Sequence, residues 1–143
     1  MRLRVMVVED DPLHRKLYEA WLSGSGFQAI MVPDERTAEA AAVQQMPDLA
    51  IIDLRLPHLS GLEVIKALRG AEAVEGIPIL AVSVLSDRQD EEASLAAGAD
   101  RFVRKPVSLR KLTRIIVDLT GGDEPSHVAS REDDRVRLVE QAD

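Results

Sequence analysis

Five side chains, far apart along the 143-residue chain, have the types and spacing for one shared chemistry. Glu9 and Asp10 follow an apolar run, Asp53 follows another, Ser83 closes a third, and Lys105 sits before Pro106 after a fourth. Asp53 lies 30 residues before Ser83 and 52 before Lys105. Several carboxylates in one cleft repel, so at least one pKa rises unless a cation joins them. Mg²⁺ takes oxygen ligands, needs few protein carboxylates and keeps several waters. Asp10 and Asp53 can ligate such an ion directly, with Glu9 acting through water. Lys105 supplies a point charge suited to a carboxylate or a phosphoryl oxygen, and Ser83 supplies one rotatable hydroxyl. An aspartate beside a divalent cation and a lysine is equipped to attack a phosphoryl group and hold it as an aspartyl phosphate. The ion and the lysine offset the charge gathered in the transition state.

The elements that must bring these residues together are legible as alternating periods. Residues 5–8, 49–52 and 78–82 are short aliphatic runs of the kind buried on both faces of a parallel sheet; residues 28–32 and 102–103 are weaker strands. Between them lie helix-period segments. Asp11 caps the first helix, with Pro12 at its first position, and Leu13, Leu17, Tyr18, Trp21 and Leu22 are expected on its core face. Asp34 caps a second helix running to about Gln45. Leu62, Val64, Ile65 and Leu68 mark a third. Asp87 starts a fourth, ending near Ala97 with Gly98 at the left-handed position. Ser108 caps a fifth, with Leu109, Leu112, Ile115, Ile116 and Leu119 inward. Alternating β and α segments imply an α/β fold, a doubly wound parallel sheet with helices on both faces. Ligands of such sheets bind beyond the carboxyl ends of the strands, where all five chemistry-bearing residues fall.

Composition bounds the alternatives. The chain is 45% hydrophobic and 30% charged, as expected of a globular protein. It has no cysteine, which excludes disulfides, thiolate metal sites and a cysteine nucleophile. The net charge of -7 argues against direct nucleic-acid binding. No segment reads as a membrane span or a signal peptide, so the cytoplasm is the expected location. Residues 1–120 read as one domain and 121–143 as a polar tail or linker. Seven acids against three arginines give the tail more than half of the net charge. The plainer reading of that segment is a frayed polar tail; the alternative is a short helix over Ser130–Glu140 with Val136 and Val139 on one side.

In this order and on these elements, Glu9-Asp10, Asp53-Leu-Arg-Leu-Pro with Gly61, Ser83, Gly98-Ala-Asp and Lys105-Pro106 resemble the receiver domain of two-component response regulators, over residues 3–119. The resemblance implies a CheY-like or flavodoxin-like (βα)₅ sheet of five strands in the order 2-1-3-4-5. It makes Asp53 the phosphoacceptor for a sensor histidine kinase or phosphotransfer protein. It gives Mg²⁺, with Mn²⁺ as a substitute, to Glu9, Asp10, Asp53 and the backbone carbonyl of Arg55. Lys105 pairs with Asp53 at rest and with the phosphoryl group afterwards. Ser83 swings toward that group and Phe102 rotates inward. A downstream protein reads the fourth helix, fifth strand and fifth helix. The Lys105-Pro106 bond is expected to be cis. The family is not an enzyme for other substrates; it catalyses only its own phosphorylation and dephosphorylation.

The residues taken singly have plainer uses. Asp11 reads as a helix cap, Trp21 as core, and His14, His58 and His127 as surface residues without ligand spacing. Val84 departs from the family, which usually has a small residue after the serine; its methyls narrow the path to Asp53. The resemblance makes Arg55 and Leu85 positions that tune the lifetime of the phosphoryl group; Arg55 can meet that group or obstruct the attacking water and Leu85 cannot orient water by hydrogen bonding, so slow loss is expected. Two other functional classes remain. One is an interaction module of the same fold that is never phosphorylated, supported by Val84, and the chain also suits a receiver fragment of a longer regulator. The other is a haloacid-dehalogenase-type phosphatase, which wants an aspartate where Arg55 stands. FMN binding lacks a phosphate-cradling loop, since Glu9-Asp10-Asp11 occupies its place.

Overall fold

A computed structural model describes residues 2–84 and 88–121, and the backbone of Arg137–Leu138. Strands β1 (Arg4–Val8), β2 (Gln28–Val32), β3 (Leu49–Asp53), β4 (Ile79–Ser83) and β5 (Arg101–Arg104) form one parallel sheet in the order β2-β1-β3-β4-β5. Helices α1 (Pro12–Gly24), α2 (Ala38–Gln45), α3 (Gly61–Gly70), α4 (Arg88–Ala97) and α5 (Leu109–Thr120) connect and follow them. The strand order reverses at β1, so the crevice beyond β1 and β3 is the topological switch point.

The two sheet faces separate along the strands with period two. Val5, Val7, Leu49, Ile51, Leu80 and Val82 pack with Tyr18, Trp21 and Leu22 of α1 and Leu112, Ile115 and Ile116 of α5. Met6, Val8, Ala50, Ile52, Ile79 and Ala81 pack with Ala38 and Ala42 of α2 and Val64, Ile65 and Leu68 of α3. The central strands β1, β3 and β4 are therefore apolar on both faces up to their ends, as a sheet covered on both sides requires, while the edge strands β2 and β5 begin with exposed Gln28 and Arg101.

The caps follow the sequence closely. Asp11 accepts from Leu13 and His14 N–H with Pro12 at the first helical position, and Ser60 and Ser108 accept from Glu63 and Lys111 N–H. Asp34 caps a 3₁₀ turn, Glu35–Thr37, that leads directly into α2. Gly98 has φ +123°, in the left-handed region. Asp87 lies outside the described residues, as do Leu85 and His127.

Three expectations need correction. Leu13 is 47% exposed rather than on the core face of α1. His14, expected on the surface, is 3% exposed. The buried face of α1 runs through positions 14, 18, 21 and 22, the i, i+4, i+7, i+8 stripe of a 3.6-residue period, and Leu13 falls beside it. Finally, in the segment read as a frayed tail, with a short helix over Ser130–Glu140 as the alternative, Arg137–Leu138 forms strand β7, paired antiparallel with β6 (Val107–Ser108); the edge of β6 supplies backbone partners from the folded domain, whereas an isolated short helix is marginal in water. The remainder of that stretch lies outside the described residues.

Candidate functional site

The carboxyl ends of β1, β3 and the turn after β5 bring three charged side chains into one buried cluster. Lys105 Nζ donates to Asp53 Oδ2 at 3.0 Å and to Glu9 Oε1 at 3.2 Å. All three residues are under 10% exposed. His14 Nδ1 lies 3.4 Å from Lys105 Nζ and 3.6 Å from Glu9 Oε1. Two carboxylates thus share one ammonium in a place where water contributes little screening. Burial, with repulsion from Asp53, pushes Glu9 up to about 7 against the pull of Lys105 and of Asp11 N–H. Lys105 is held above its ordinary value, since the two carboxylates outweigh the penalty of burial.

Backbone geometry aims these groups. Asp53 closes β3, and its Oδ1 accepts from Arg55 N–H at 2.8 Å. The following loop doubles back so closely that Gly61 N–H donates to Leu54 O at 3.1 Å. A Cβ on Gly61 would stand 2.3 Å from Asp53 O and 2.6 Å from Leu54 Cα, so the close approach requires glycine here. Buried Glu35 secures the same loop: its Oε2 accepts from His58 N–H at 2.6 Å and Leu59 N–H at 3.1 Å. Burial alone would raise that carboxyl; the backbone donors hold it below its ordinary value. Arg15 braces the end of β1, donating to Asp10 O at 2.6 Å and Glu9 O at 3.2 Å. Lys105 is placed by its own N–H, which donates to Ser83 O at 2.8 Å, and the Lys105-Pro106 peptide is cis.

The remaining sequence candidates divide. Asp10 is half-buried beside Glu9. Ser83 is fully buried at the end of β4, and its Oγ donates to Asp90 Oδ2 of α4 at 3.4 Å. Arg55 is joined to Asp53 by its backbone, while its guanidinium pairs with Asp90 at 2.7 Å. Phe102 is half-buried and packs on the α2–α3 side of the core. Val84 is half-buried just past β4. Among the described residues, no three His, Cys, Asp or Glu side chains gather as a ready metal cage. Sequence reasoning missed His14, Glu35, Asp90 and Arg15. Only His14 had a local signal, its place in the α1 stripe.

The fold and this site define a parallel α/β protein with an acid–lysine cluster at its switch point. The family model for the response regulator receiver domain matches residues 5–117. The polar-differentiation response regulator DivK of Brucella ovis is 34% identical over 121 residues, covering 85% of this chain and 98% of that protein. The receiver domain of the sensor histidine kinase PA1611 from Pseudomonas aeruginosa, solved with a magnesium ion in its active-site cleft, is 30% identical; the match covers 85% and 100% of the two chains with a TM-score of 0.79. The chemotaxis protein CheY4 of Vibrio cholerae, at 24% identity and a TM-score of 0.79 over 83% and 99% of the chains, shares the fold. The chain belongs to the response-regulator receiver family of two-component signalling. It is a phosphoacceptor domain, acting only on its own phosphorylation state, with histidine kinases as its general partners. Among the described residues no helix is long and apolar enough to cross a membrane.

Proposed function

We propose that Asp53 is the phosphoacceptor of this receiver. The observation that carries the reading is the buried cluster of Asp53, Glu9 and Lys105, in which two carboxylates face one ammonium. Glu9 relieves the surplus negative charge by holding its proton up to about pH 7; a divalent cation relieves it better. Glu9, Asp10, Asp53 and the Arg55 carbonyl are the groups that would hold Mg²⁺ or Mn²⁺. One or two carboxylates suffice, since Mg²⁺ keeps waters. When bound, the ion offsets charge on the phosphoryl oxygens.

In the transfer itself, an Asp53 carboxylate oxygen forms the new bond to phosphorus. The bond from phosphorus to the donor breaks, and the donor leaves with the electron pair. Lys105, already 3.0 Å from Asp53 Oδ2, then pairs with a phosphoryl oxygen. Ser83 supplies its hydroxyl to another, and Phe102 turns into the space vacated. Val84, Arg55 and Leu85 set access and the lifetime of the product. The switched surface is α4, β5 and α5, read by a protein partner in the cytoplasm, with no direct contact to nucleic acid. Residues 1–120 carry this function and 121–143 form a tail or linker.

Incubation with acetyl phosphate and Mg²⁺ followed by intact-mass measurement tests the reading. One added phosphate is expected on the wild type and none on Asp53→Asn. Unchanged labelling of Asp53→Asn, or no labelling of the wild type even with a competent histidine kinase, overturns it.

A further inference from the structure

Helix α4 is held unlike the other helices. Its one buried residue is Ser94, and Leu95 is 44% exposed. By contrast α5 buries Leu109, Leu112, Thr113, Ile115 and Ile116. An element with so little buried apolar surface is displaced at small cost, so its polar ties weigh heavily. Two converge on one carboxylate in its first turn. Asp90 Oδ2 accepts from Arg55 Nη2 at 2.7 Å and from Ser83 Oγ at 3.4 Å. Both donors come from the rim of the candidate phosphorylation site. Arg55 N–H is bonded to Asp53 Oδ1, and Ser83 O receives the N–H of Lys105.

We propose that Asp90 is a positioning residue: in the unphosphorylated protein it holds Ser83 Oγ and the Arg55 guanidinium on α4, and a phosphoryl group on Asp53 competes with it for both. The inference rests on the reading of Asp53 as phosphoacceptor. A phosphoryl group brings three strong acceptor oxygens and more negative charge than a carboxylate, and a group hydrogen-bonded to one acceptor is not available to the other. Each state therefore excludes the other: with Asp90 engaged, α4 is pinned to the loop after β3; with the phosphoryl group engaged, α4 loses this tie. A ligand shifts such an equilibrium only by its differential affinity for the two states, so weakening the Asp90 tie strengthens binding of a phosphoryl group or its mimic. The side chains of Arg55 and Asp90 are 44% and 18% exposed, which keeps the effect modest.

The test measures binding of beryllofluoride, a phosphoryl mimic, in the presence of Mg²⁺ by titration calorimetry. Asp90→Asn is expected to bind about two- to fivefold tighter than wild type, the range of an exposed ion pair, and Asp90→Glu to stay close to wild type. In an Arg55→Ala background the gain from Asp90→Asn should shrink, because one of the two donors is already gone; an undiminished gain means simple charge repulsion and overturns the proposal. Amide spectra of unliganded Asp90→Asn should move α4 toward its beryllofluoride-bound positions and report that the variant is folded. Unchanged or weaker binding by folded Asp90→Asn, with the wild type binding, also overturns it. A wild type that does not bind beryllofluoride contradicts instead the reading of Asp53.

Discussion

Both ends of the parallel sheet carry buried or half-buried charge, but the two ends balance it differently. At the amino ends of the strands, Arg69 donates to the carbonyls of Gly98, Glu75 and Ile77 at 2.8, 2.8 and 2.6 Å and pairs with Asp100 at 2.9 Å. Asp100 in turn accepts Ile79 N–H at 2.8 Å. Arg4 donates to the Gln45 carbonyl and side chain, and its own N–H reaches Asp48 Oδ2. Arg69, Asp100, Arg4 and Asp48 each meet backbone groups there. Gly98 belongs to the same arrangement, since a Cβ on it would stand 2.6 Å from Arg69 Cγ. At the carboxyl ends, Glu9 and Asp53 compete for Lys105 and the site holds more negative charge than it neutralises. Charge at the first end staples connections; charge at the second end is left over for a ligand.

Three substitutions sharpen this contrast. Arg69→Ala should cost the most stability, about 3 kcal/mol, because it strips a charged donor from several carbonyls at once. Denaturant titration reads the loss, and labelling by acetyl phosphate should survive wherever the variant is folded. Glu35→Ala removes the acceptor of two backbone N–H groups beside the phosphorylation loop and should cost about 2 kcal/mol. Its pH dependence follows from the depressed carboxyl. The stabilisation is complete above the ordinary value of 4.5 and is lost as pH falls through the lower folded value. The gap between wild type and variant should therefore stay constant at neutral pH and narrow in acid; a gap that widens in acid would refute the assignment. Asp53→Asn should have the smallest effect on stability, within about 1 kcal/mol. It relieves repulsion on Glu9 while Lys105 keeps one carboxylate, so a loss as large as that of Arg69→Ala would erase the distinction between the two ends.

The parts written as local periods were legible in the sequence. Apolar strands with Asx and serine caps marked the alternation of strands and helices, the spacing of Asp53, Ser83 and Lys105 pointed to the acid–lysine cluster, and the order of the strands followed only from the resemblance to receiver domains. What escaped depended on distance or on a misleading residue type. His14 looked like a surface histidine because of its polarity, although its position in the α1 stripe placed it inward. Glu35 reaches the loop after β3 across 23 residues and Asp90 reaches Arg55 across 35; no spacing rule announces such pairs. The strand at Arg137–Leu138 depends on an edge offered by β6, which only the folded domain supplies.

The central claim is that the phosphoryl group lands on the one carboxylate that shares Lys105 at the end of β3. Borohydride reduction of the freshly phosphorylated protein, followed by peptide sequencing in the mass spectrometer, reads it directly, because hydride converts an aspartyl phosphate to homoserine and leaves free carboxylates untouched. Homoserine at position 53 alone is the expected result. Homoserine at Glu9's neighbour Asp10 or elsewhere, with Asp53 intact, would contradict the account.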